Sequence, residues 1–133
     1  MKLRVINTIS MMMILTLYST GTLYAANDPS INGNTRSKIK SAMSEMINRN
    51  TVNNVYSHYD PIKGVLHDMQ LVELHDGIVK KGNYYVSCAD FRNSKGQLLD
   101  IDFLVLENDD NFVATQAVIH KADDKKRKYH LED

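Results

Sequence analysis

The apolar residues of this chain change their spacing once, from a helical period to a period of two. That single change orders the chain as a helix first and a sheet after it. Ile39, Ala42, Met43, Met46 and Ile47 fall at i, i+3, i+4, i+7 and i+8, one stripe of a 3.6-residue helix. Lys38, Lys40, Ser41, Ser44 and Glu45 take the other side. Asn34 or Thr35 is placed to cap the first turn, and Asn48-Arg49-Asn50 weakens the end. Val52, Val55, Tyr56 and Tyr59 keep helical spacing, so a further helical turn or two is expected before Asp60-Pro61 stops it.

From Gly64 the period is two. Leu99, Ile101, Phe103 and Val105 alternate with Leu98, Asp100, Asp102, Leu104 and Leu106, which makes one face of that strand wholly apolar. Asn83 to Arg92 and Phe112 to Lys121 read as its neighbours, being rich in Tyr, Val, Phe and Thr. Asn93-Ser94-Lys95-Gly96 and Asn108-Asp109-Asp110-Asn111 are the hairpin connections between them. A first strand runs from Val65 toward Val79, with Asp76-Gly77 marking a bulge or an early turn and Lys81-Gly82 closing the hairpin. Arg127 to Leu131 adds a short last strand after the turn Ala122-Asp123-Asp124-Lys125. The expected fold class is α+β: an N-terminal helical segment packed on a four- to five-stranded antiparallel meander.

The N-terminus carries an address. Lys2 and Arg4 precede the apolar run Met11-Met12-Met13-Ile14-Leu15-Thr16-Leu17-Tyr18, and the small and polar residues Ser19 to Thr22 lead to Ala25-Ala26. This is the layout of a cleaved secretory signal peptide over residues 1–25, cut after Ala25. The run is short of the roughly 18 residues that span a bilayer. Periplasmic or extracellular export follows as an expectation, with no membrane anchor once the signal is cleaved. Residues 26–35 read as a flexible polar leader, and residues 36–133 as one α+β domain.

Removal of residues 1–25 leaves fourteen basic against sixteen acidic residues, a net of −2 with histidine neutral. That balance lacks the basic excess that nucleic acid or an anionic membrane attracts. Cys88 is the only cysteine, so no disulfide forms within the chain and the fold rests on its apolar core. A mid-strand position in Tyr84-Tyr85-Val86-Ser87-Cys88-Ala89-Asp90 suits a small buried apolar side chain. The other roles open to Cys88 are an intermolecular disulfide or a reactive thiol.

Candidate chemistry is sparse. A thiol nucleophile needs a base beside it, and His67, His75, His120 and His130 all fall on expected strands. Asp100 and Asp102 point to one side of their strand, about 7 Å apart, close enough to hold a cation or share a proton. Solvated strand residues are the plainer reading. The histidines show no metal-ligand spacing and Glu107 to Asn111 lacks the glycine and terminal glutamate of a calcium loop. No catalytic residues, metal or cofactor are therefore assigned. Lys125-Lys126-Arg127-Lys128 is the one basic run, flanked by acids, and reads as the charged guard of a terminal edge strand.

One feature of the sheet asks for a partner. Its second face carries Leu104 and Leu106 beyond Asp100 and Asp102, and Tyr84 and Val86 on the neighbouring strand. A face open to water alternates more cleanly. A dimer partner, a ligand, the curl of the sheet or the leader is expected to cover part of it.

The order of a helical segment followed by a curled antiparallel sheet, over about residues 36 to 131, resembles the cystatin-like and NTF2-like folds. The likeness lies in element order alone. Protease-inhibiting cystatins carry a Gln-x-Val-x-Gly hairpin, and here Gln70-Leu71-Val72-Glu73-Leu74 has leucine in place of the turn glycine. NTF2-like proteins often bind small molecules between sheet and helices.

The function these residues support is a small exported, non-enzymatic binding or interaction domain. Its surface includes Tyr84, Val86, Leu104 and Leu106, and its partner is a protein, a small molecule or a second copy. The alternative is a small exported enzyme with a helix–sheet pocket, using Cys88 or Asp100/Asp102 with a histidine.

Overall fold

Asn32 starts the helix by accepting the Thr35 amide on its side-chain oxygen at 2.8 Å, and α1 runs Gly33–Arg49. The cap thus lies ahead of the expected Asn34 or Thr35, which fall inside the first turn. The computed structural model describes residues 26–129 and 131, so the expected signal peptide and His130 lie outside the described residues. Within the stretch 26–35, the Asp28 amide donates to the Ile78 carbonyl at 2.7 Å and Ile31 joins the core. α1 buries Ile39, Ala42, Met43 and Ile47, with Met46 half-buried at the margin, the stripe its spacing predicts. Among the described residues, no helix is long and apolar enough to cross a membrane.

Among the described residues seven strands follow, in one antiparallel sheet ordered as they occur in the chain: β1 (Thr51–Val52), β2 (Val55–Asp60), β3 (Val65–Lys81), β4 (Tyr84–Asn93), β5 (Leu98–Asn108), β6 (Asn111–Ala122) and β7 (Lys125–Lys126). The α+β meander is therefore present, with more strands than the four or five expected. The expected second helical segment is a hairpin instead. Asn53 and Asn54 both take left-handed backbone, at φ 52° and 64°, which closes a two-residue turn and starts β2 at Val55. Val52, Val55, Tyr56 and Tyr59 satisfy helical spacing, but β-branched and aromatic side chains also suit a pleated surface. The last strand is displaced in the same way. Asp123 and Asp124 stand at φ 48° and 61°, so pairing resumes at Lys125 and Lys126 rather than at Arg127.

The sheet bends strongly. β3 shifts register against β4 between Leu71 and Glu73 and again between Leu74 and Ile78, the second shift spanning the Asp76-Gly77 pair. Its two margins meet: the Arg127 guanidinium, just past β7, donates to Asp60 at the end of β2 at 2.8 Å. A cavity at that seam is lined by His58 to Ile62 on one side and Gln116 to Ile119 on the other.

The inner face of this curl is the core, with α1 lying against β5 and β6. Leu99, Ile101, Phe103 and Val105 are fully buried there beside Ala89 and Phe91. Tyr56 stacks on Phe91 with ring centroids 4.6 Å apart. Burial of each large side chain of this kind contributes about 1.5–3 kcal/mol before entropy is subtracted.

Candidate functional site: a buried cluster on the outer face of the sheet

Residues that pair across strands point to the same face. β4 and β5 pair Cys88 with Asp102 and Asp90 with Asp100, so all four project away from the core face formed by Ala89, Phe91, Leu99, Ile101 and Phe103. β6 adds a histidine through a bulge. It pairs Lys121 with Asp100 but Ile119 with Ile101, leaving His120 as the extra residue. Its Nδ1 lies 3.0 Å from Asp102 Oδ1.

One donor atom from each of Cys88, Asp100, Asp102 and His120 lies within 4.8 Å of all the others. The four residues are 2, 8, 0 and 3% exposed. The chain itself supplies cover: the Leu131 amide donates to Asp102 Oδ2 at 3.0 Å, and the Arg127 amide to the His120 carbonyl at 2.8 Å. Part of the second sheet face is thus closed intramolecularly.

A second group shares Asp100. His75 comes from the bulged part of β3, with Nε2 3.3 Å from Asp90 Oδ2, and His75, Asp90 and Asp100 again lie within 4.8 Å of one another. Lys121 Nζ is 3.8 Å from Asp100 Oδ2, while Asp100 Oδ1 is buried without a hydrogen-bond partner among the described residues. Burial pushes the Asp100 carboxyl up to about 6; His75, His120 and Lys121 pull it down and Asp90 adds to the rise. That is well above the range of an exposed aspartate.

The chemistry open to this set is limited by access. Thiol, imidazole and carboxylate are the residue types of cysteine nucleophile sites. Attack on a substrate requires contact, and these groups are sealed inside the sheet. The cavity between helix and sheet, lined by Ile47, Asn48, Thr51, Asn54, Tyr56, Gln70 and Leu71, contains none of the four and lies on the core side of the sheet. What the cluster can do as it stands is share protons or hold a cation.

The remaining titratable cluster is structural. Asp60 is 1% exposed and accepts from the Arg127 guanidinium and the amides of Ile62 and Lys63, while His67 Nε2 stands 3.6 Å away without a hydrogen-bond partner among the described residues. Burial raises its carboxyl, but the Arg127 hydrogen bond and charge and the two amides outweigh that and hold it down at about 2.

The residues read from the sequence fall into two places. Tyr84 pairs with Leu106 and Val86 with Leu104, so the four proposed surface residues are immediate neighbours on the outer face. Val86 is buried at 1%, Tyr84 and Leu104 are half-buried, and Leu106 is 39% exposed. Val113, paired with Leu106 and 48% exposed, continues the row and was not among those singled out. Of the histidines weighed as partners for Cys88, His120 joins its cluster, His67 goes to Asp60 and His75 to Asp90. Arg127 leaves the exposed basic run for Asp60, while Lys125 and Lys126 remain exposed on β7. Asp60 carried no functional reading in the sequence, and its partner lies 67 positions away. Comparison with protein-family models, with curated proteins and with solved structures finds no match for this chain.

Proposed function

We propose that the chain is a small exported, non-enzymatic binding domain that takes its partner on the outer face of β4, β5 and β6. The observation that carries this reading is the cross-strand register: Tyr84–Leu106–Val113 and Val86–Leu104 form adjoining rows, with Leu106 and Val113 open to solvent. Adjacent apolar side chains on an outer sheet face favour association more than the same residues scattered singly. Export rests on the N-terminal layout of charge, apolar run and small residues. The helix-then-meander order, which resembles cystatin-like and NTF2-like rolls, is compatible with binding and does not by itself select a ligand.

A photo-crosslinking residue at Val113 tests the reading, with one at Val72, also exposed, as the control. Capture from Val113 of a discrete partner or a second copy, lost in the Leu104→Ser/Leu106→Ser variant with an unchanged melting temperature, is the expected result. Equal capture at both positions, or capture indifferent to the double substitution, refutes this surface.

The alternative is an exported enzyme using Cys88 or the Asp100/Asp102 pair with His120. It draws on the convergence of those residues within 4.8 Å. It requires an opening that exposes them, and exposures of 0–8% speak for the binding reading.

A further inference from the structure

We propose that Cys88, Asp100, Asp102 and His120 form a site for one divalent transition-metal ion of the zinc type, taken up as the sheet closes. This goes beyond the apolar face, which lies further along the same strands. The donor set is the first argument. A thiol and an imidazole beside two carboxylates suit zinc or cobalt, whereas magnesium and calcium take oxygen alone. Geometry is the second. Bonds of about 2.0–2.3 Å in a tetrahedron set neighbouring donors about 3.3–3.8 Å apart. The four donor atoms already lie within 4.8 Å of one another, and the 3.0 Å hydrogen bond between His120 Nδ1 and Asp102 Oδ1 would give way to the ion. Separations of up to 4.8 Å exceed the longest tetrahedral edge by about 1 Å, which the ion must draw in.

Asp100 supplies an independent pointer. It is 8% exposed and belongs to both donor groups, yet its Oδ1 has no hydrogen-bond partner among the described residues. A buried carboxylate oxygen left without a partner is destabilising, and an ion beside it removes that penalty. A zinc ion also offsets the charge of the carboxylates gathered where Lys121, at 3.8 Å, is the near cation described. The surroundings are those of a metal site: the Leu131 amide fixes Asp102, and the His75–Asp90 pair stands behind Asp100.

Because the donors are closed from solvent, loading is tested by refolding. The purified protein is unfolded and refolded with one equivalent of Co2+, and the absorbance is followed. The expected result is a 1:1 complex with four-coordinate visible bands and a thiolate-to-cobalt charge-transfer band, both displaced by equimolar Zn2+. Cys88→Ser removes the charge-transfer band, and Asp100→Asn weakens Co2+ binding more than about tenfold. Wild-type protein that regains its native circular dichroism without either band overturns the proposal. So does a Cys88→Ser variant with the wild-type spectrum. Should the variants fail to fold, the wild-type spectrum decides alone. Should wild type refold poorly, zinc content of protein purified from zinc-supplemented medium decides, with one zinc per chain expected and less than a tenth refuting.

Discussion

Replacing Arg127 with methionine removes the positive charge from a carboxylate that the fold has taken almost wholly out of water. Asp60 is 1% exposed, and its carboxyl is held at about 2 against an ordinary value of 3.8. A group depressed in the folded state contributes stability above its unfolded pKa and loses it as pH falls through the folded one. The shift corresponds to about 2–2.5 kcal/mol, present in full above pH 5 and lost between about pH 5 and 2. In Arg127→Met the buried carboxylate keeps only the Ile62 and Lys63 amides, and breaking a buried pair in this way costs about 3–5 kcal/mol. His58 also faces this seam; burial holds it below its usual range, opposed by Asp60 and reinforced by His67 and Arg127. Urea unfolding at pH 7, 5 and 3 measures the difference between the two proteins. A gap near 3–5 kcal/mol at pH 7 that narrows toward pH 3 is expected, because burial without Arg127 raises the Asp60 carboxyl and acid then relieves the variant. Asp60→Asn/Arg127→Met should recover most of the loss. A gap under 1 kcal/mol at pH 7, or one that does not change with pH, refutes the reasoning.

Other expectations follow from burial and capping. Cys88, 2% exposed, should resist alkylation at pH 5 to 9 until the protein unfolds; fast labelling of the folded form with an apparent pKa well below about 8.5 would revive the thiol enzyme. Met43→Asp, at a position with no exposure, should cost more than about 3 kcal/mol, and Met46→Asp at the half-buried margin less, as read by thermal and urea melts. Equal, small effects at both would mean α1 is not packed as described. Asn32→Ala should cost about 1 kcal/mol through the lost cap, while Asn34→Ala, inside the first turn, should change stability little.

The sequence carried the helix and the central strands because each has one dominant period. Ile39 to Ile47 admit only a helical stripe, and Leu98 to Leu106 only alternation. Val52 to Tyr59 fit both, and there the decision lay with Asn53-Asn54, two residues that tolerate left-handed backbone. β7 moved for the same reason, at Asp123-Asp124. The site was legible in part. Asp100 and Asp102 share a face by alternation alone, but His120 reaches them through a bulge in β6 that no residue in Ile119-His120-Lys121 announces. Asp60 and Arg127 meet only because the whole sheet curls, a global property without a local signature.

Strand order that copies chain order has a kinetic consequence. Each strand pairs with one already next to it in the chain, so each hairpin needs only a short loop to close, and loop-closure entropy stays small at every step. A chain emerging N-terminus first could zip its sheet progressively, without waiting for distant segments. Packing of α1 waits for β5 and β6, and the Asp60–Arg127 contact and the Leu131 amide on Asp102 wait for residues beyond β7. The last two belong to the final step, and a chain truncated before Arg127 would be expected to form its hairpins yet leave the seam and the acidic cluster unsealed.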